Sequence, residues 1–195
     1  MAKKKHKYEF RPDKQHATLL NKLYLTQKQR KTLLKWVLYG VILLFLSVLQ
    51  DTVFCHIRFW GARLDLVPCA IFLICVVQGA ESGSIFILVA SSLFLFTGTP
   101  PGAYVIAYMT IFGLFVTLIR QGYLRNGFSS VILCTAVAFL LYELAVFFTG
   151  LYLQQTTLDK LYRFLITAGL TFPLAPILYP AVLAVDKVGG ETWKE

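Results

Sequence analysis

In the stretch VAFLLYELAVFF, residues 137–148, one carboxylate, Glu143, interrupts an otherwise oily run with the character of a helix. A charged carboxylate surrounded by hydrocarbon is costly, so such a group is kept where it is paired, neutralised or used. Three uses fit the residue type. It can couple to a proton or an ion. It can grip a partner helix. It can also serve packing, either protonated against a hydroxyl or paired with a cation. Arg163 opens the next apolar run on the same side, and its long stem lets the guanidinium reach inward. Catalysis finds less support. His6, His16 and His56 all fall outside the apolar runs, which leaves no intramembrane Ser–His pair. A carboxylate dyad needs a second acid in the same site, and Glu143 reads as the one buried acid. No CxxC, metal-ligand cluster or phosphate-cradling glycine loop occurs. The expectation is a protein without catalytic residues, metal or cofactor.

The elements that must hold Glu143 follow from composition. Of 195 residues 57% are hydrophobic and only 15% are charged, well below the roughly 25% charged residues of a soluble domain. No Asp, Glu, Lys or Arg occurs from Trp36 to Gln50, from Leu66 to Ala80, or from Ser82 to Ile119. Such gaps are the mark of membrane-spanning helices. Cys69, Cys75 and Cys134 lie inside these runs and read as small hydrophobes; Cys55 stands near the end of the first run with no evident partner.

The expected fold is an all-α integral membrane protein, a six-helix bundle with both termini inside and a Pro-kinked last helix. Residues 1–33 form a basic cytoplasmic segment, 34–186 the transmembrane bundle, and 187–195 a short cytoplasmic tail. The spans are placed at about 34–50, 65–78, 83–97, 101–119, 129–150 and 161–185. Spans two and three are short for a crossing and could form a re-entrant pair. Within the head, residues 17–36 suit a helix lying on the membrane surface, and nothing there reads as a cleaved signal peptide.

The net charge of +9 is concentrated, because eleven of the nineteen Lys and Arg precede Trp36, against Glu9 and Asp13. That block reads as a topology signal rather than an arm for nucleic acid. With six crossings, fifteen Lys and Arg fall inside and four, Arg58, Arg63, Lys160 and Arg163, fall outside. Lys3, Lys4, Lys5, Lys7, Arg11, Lys28, Arg30, Lys31 and Lys35 would fix this orientation, hold anionic lipid, or dock an acidic partner. The outer connection from Asp51 to Arg63 is the longest, and its Trp60 suits the interfacial aromatic belt.

Two more patterns concern packing. Ala103, Ala107, Thr110 and Thr117, with Gly113 nearby, form a small-residue stripe that lets membrane helices approach closely, inside the bundle or between subunits. Pro173, Pro176 and Pro180 remove backbone donors from the last span and kink it. No repeat relates the first three spans to the last three, which disfavours an inverted-repeat transporter.

The segments SVLQDTVF, ARLDLVPCAIFLICVV and ESGSIFILVASSLFLFTGTPPGAYVIAYMTIFGLF resemble the MreD family of rod-shape-determining bacterial membrane proteins. Gln50 matches a glutamine that ends the first span in that family, and Gly98 and Gly102 match a turn between spans three and four. Family members often carry glycines and an aspartate along span three, where this chain has Phe86, Ala90 and Phe94. The resemblance implies a non-enzymatic scaffold of the wall-elongation machinery in the bacterial plasma membrane. Its implied partners are an MreC-like bitopic protein, the actin-like MreB filament and the peptidoglycan synthases. The competing reading is the substrate-binding subunit of an energy-coupling-factor vitamin importer, also a small six-span protein. Span one lacks the small-residue docking stripe of such subunits, although Tyr104, Tyr108, Glu143 and Arg163 could surround a solute.

Overall fold

The computed structural model describes residues 27–54, 56, 61–62, 64–97, 100–124 and 127–188. The described chain is all-helical. Helix α1, Gln27–Leu49, runs on through a π turn at Gln50–Phe54, and α2 follows at Leu66–Gln78. Then come α3, Ala80–Phe96, α4, Tyr104–Tyr123, and α5, Phe128–Tyr152. The last pass is α6, Leu161–Thr171, a 3-10 turn at Phe172–Leu174, and α7, Ala175–Val188. Four helical segments, 30–54, 104–123, 128–152 and 158–188, are long and apolar enough to cross a membrane. Helices α2 and α3 are apolar but shorter, at 13 and 17 residues.

A helix appears at each of the six expected positions, most of them longer than expected. From Gln27 the basic segment is continuous with α1, so residues 27–35 extend the first pass rather than lie as a separate surface helix. The expected kink is a break: the last pass changes to a 3-10 turn around Pro173, and Pro180 sits inside α7.

Helix α2 organises the bundle. Its sequence, LVPCAIFLICVVQ, has no polar residue before the last, and a helix apolar on every side belongs in a core. All thirteen residues are buried, against α1, α3, α4, α5 and α7. It runs antiparallel to α1, with its first turn against Gln50 and its last residue beside Tyr39. At 1.5 Å per residue it is about 20 Å long, short of a hydrocarbon core of about 30 Å.

Without a hydrophobic drive between membrane helices, close packing supplies the attraction. A Cβ on Gly83 would stand 2.5 Å from the Cys75 carbonyl oxygen, and one on Gly113 would run into Ile87 Cδ1. These two glycines let α3 and α4 lie close against the centre. Rings fill the remaining gaps, with Trp36 and Tyr39 at 5.9 and 5.7 Å from Phe86, and Phe72 at 5.8 Å from Tyr142. Each such pair contributes about 0.5–1.5 kcal/mol beyond its buried area.

The small-residue stripe divides. Gly113 and Thr117 are buried and Thr110 is half-buried, whereas Ala103 and Ala107 are exposed. The buried face of α4 is Val105, Met109, Gly113, Val116 and Thr117, so the stripe as a whole is not an internal packing surface. Helix α1 is peripheral, with Val37, Val41, Leu44, Phe45 and Val48 all more than half exposed.

Candidate functional site

A helix leaves its first N–H and last C=O groups without intrahelical partners, and hydrocarbon offers no water to satisfy them. The short central helix has this problem at both ends, and side chains from other helices solve it. Its N-terminal residue Asp65 makes no side-chain cap. Instead the Val67 N–H donates to Gln50 Oε1 at 3.0 Å, and the Asp65 N–H donates to Thr171 Oγ1 at 3.3 Å. The π turn that ends α1 holds Gln50 at this level, and the break in the last pass holds Thr171.

Glu143 arrives from α5 at the same place. It is only 6% exposed, and its carboxyl faces that of Asp65. The two carboxyl groups sit at the positive end of the α2 dipole, where negative charge is favoured. Glu143 Oε1 has no hydrogen-bond partner among the described residues.

This arrangement corrects two expectations. Glu143 is not the lone interior acid, because half-buried Asp65 shares its site. Nor is Arg163 its counter-charge: that exposed residue lies against Gly61, and its Nε donates to Tyr162 Oη at 3.2 Å. The α2 N-terminus supplies the positive potential that a cation was expected to bring. Nearby, the hydroxyls of Tyr108 and Thr149 bond at 2.7 Å, joining α4 to α5.

The other end of α2 carries the opposite charge. The Cys75 carbonyl accepts from Gly79 N–H at 3.1 Å, the Gln78 carbonyl from Ser82 Oγ at 3.0 Å, and the Val76 carbonyl from Arg120 Nη1. A guanidinium thus stands at the negative end of the dipole. Gly79 turns the chain into α3 at φ 84°, a conformation open to glycine. The Tyr39 hydroxyl reaches Val182 O and Asp186 Oδ1, each at 3.5 Å, and Asp186 pairs with Lys35 at 2.6 Å. These groups border a cleft of about 740 Å³, lined also by Gln78, Glu81, Arg120, Tyr179 and Lys187. The α1 start, α2 end, α3 start, α4 end, α5 start and α7 end all meet there, which makes it the head end of the bundle.

Of the basic residues expected to act at the surface, Arg30 and Lys31 are exposed on α1 and Lys35 belongs to the cleft. Lys28 lies on α1. Lys3, Lys4, Lys5, Lys7 and Arg11 lie outside the described residues, as do Cys55, Arg58, Trp60, Arg63 and Gly98. Cys69, Cys75 and Cys134 are free and buried. No group of three His, Cys, Asp or Glu able to hold a metal occurs among the described residues. Sequence reasoning missed Asp65, Gln78, Arg120, Thr171 and Asp186. The first four stand at or near helix ends, where a charge or amide reads as a boundary; a boundary residue on a span too short for the membrane was the available signal.

No protein-family model matches the chain, and neither does any curated protein or solved structure.

Proposed function

We propose that this chain is a non-enzymatic, multi-pass scaffold subunit of the bacterial plasma membrane, acting in side-wall elongation through contacts with other proteins. The head and both termini lie in the cytoplasm on this reading, in keeping with the excess of Lys and Arg on that side. The resemblance to MreD suggests the setting, with an MreC-like bitopic protein, MreB and peptidoglycan synthases as partners. The reading assigns the chain no reaction of its own.

One observation favours a scaffold over an importer subunit. Tyr104, Tyr108, Glu143 and Arg163, the groups that would surround a solute, line no part of the 740 Å³ cleft, which opens at the opposite end. Tyr108 is instead bonded to Thr149, and Glu143 faces Asp65. Gln50, which carries the resemblance, braces α1 to α2. Mild crosslinking in native membranes, followed by co-purification, tests the reading. A bitopic wall-synthesis protein is the expected capture, and depletion should round the cells. Capture of an ATPase module, with a vitamin that raises the melting temperature of the purified protein, would replace the scaffold with the importer.

A further inference from the structure

Gln78 is a group that the packing of α2 does not use. It is the last residue of the central helix and 5% exposed, yet neither Nε2 nor Oε1 closes a hydrogen bond among the described residues. The Tyr39 hydroxyl lies beside the amide, but no hydrogen bond of good geometry satisfies either amide atom. Buried amides are normally satisfied, and one that is not points to an absent partner. The partner must bring both an acceptor, for Nε2, and a donor, for Oε1.

The surroundings narrow its chemistry. Gln78 borders the head-end cleft, whose charged lining is Lys35, Arg120 and Lys187 against Glu81 and Asp186, an excess of one positive charge. Asp186 is already engaged by Lys35. The remaining wall includes apolar Val77, Leu124, Val131 and Leu183. A basic cleft between membrane helices, with greasy walls and an opening at the bundle end, suits an anionic lipid headgroup. A phosphodiester alone offers only acceptors, and a choline group adds no donor. A phosphate joined to a hydroxyl-bearing group offers both.

We propose that this cleft binds the headgroup of an anionic, hydroxyl-bearing phospholipid, with the phosphate beside Arg120 and Lys187 and a hydroxyl on Gln78. The lipid chains lie along the apolar wall. A water-soluble phosphorylated polyol shares the headgroup chemistry but would leave that wall unused. Binding does not depend on the wall-elongation reading; the orientation decides only that the leaflet is the cytoplasmic one.

The test uses the full chain in phosphatidylcholine nanodiscs with or without phosphatidylglycerol, with retained lipid counted by native mass spectrometry. Wild type is expected to hold phosphatidylglycerol over phosphatidylcholine by about tenfold. Lys187→Gln, at an exposed position, lowers that preference several-fold without disturbing the packing. Gln78→Leu selectively removes the advantage of phosphatidylglycerol over phosphatidylmethanol, which has the same phosphodiester charge but no hydroxyl-bearing group. Equal retention of the glycerol and choline lipids, or a preference unchanged in both variants, overturns the proposal. So does displacement by millimolar glycerol 3-phosphate, which reassigns the cleft to a soluble ligand, or an acidic protein segment crosslinked to Lys187 with no lipid retained.

Discussion

The two ends of α2 meet the same physical problem and are built differently. At the N-terminal end the orphan donors are met by Gln50 and Thr171, and the Asp65–Glu143 pair sets an anion against the dipole. Gln50, Thr171 and Glu143 are all buried there. At the C-terminal end Arg120 sets a cation against the dipole, and a cleft opens beside it; each end keeps an unbonded buried side-chain atom, Glu143 Oε1 at one and the Gln78 amide at the other. Both ends obey the requirement that hydrocarbon leave no backbone group unsatisfied. The difference shows that capping alone does not require an open space. The closed end is a brace, and the open end has room for a ligand.

The sharpest way to break this comparison is to reverse the charge at the closed end. Glu143→Lys would place a buried cation at the positive end of a dipole. Breaking a buried charge arrangement costs about 3–5 kcal/mol, so folded protein is expected to vanish from the membrane. Glu143→Gln keeps a hydrogen-bond donor for Asp65 and should cost about 1 kcal/mol. The check is protein level together with the melting temperature in detergent. If the lysine variant accumulates normally, attraction to the Asp65 carboxylate outweighs the dipole at this end.

How far the sequence carried this picture depends on the kind of contact. The long apolar runs placed all six helical segments, because a run with so few charges has few alternatives. The centrality of α2 was half-visible in LVPCAIFLICVVQ, whose lack of a polar face marks a helix surrounded on all sides. Its shortness drew attention to a re-entrant pair instead. The partner of Glu143 was not legible, because Asp65 is 78 positions away and like-charged. Pairing rules favour opposite charge, and the positive potential comes from backbone dipoles that no residue letter records. The stripe from Ala103 to Thr117 misled for a simpler reason: spacing identifies a face, but not what the face meets.

Smaller effects sharpen the view of the closed end. Gln50→Leu removes the acceptor of the Val67 N–H and leaves it buried without a partner, at a cost of about 1–3 kcal/mol. Gln50→Glu restores an acceptor but adds a negative charge beside the carboxyl pair, so recovery should be partial. Thr171→Val keeps the shape and removes only a 3.3 Å bond, so about 0.5–1.5 kcal/mol is expected. Thermal unfolding of the three variants in one detergent ranks them. A larger loss for Thr171→Val than for Gln50→Leu would mean that the break in the last pass, rather than the π turn of α1, secures this end.

The smallest expected effect lies at the open end and is the most discriminating. Lys35 and Asp186 pair at 2.6 Å with side chains 14% and 16% exposed, on the rim of a cleft that water can enter. Screening there should hold their coupling to about 1 kcal/mol, measured by a double-mutant cycle with Lys35→Gln and Asp186→Asn. The coupling should also fall as salt rises, because exposed charges are screened and enclosed ones are not. A coupling of about 3 kcal/mol, indifferent to salt, would mean that this end is as dry as the other. The cleft would then be a closed void, Gln78 would be a strained packing residue, and the distinction between brace and binding site would be lost.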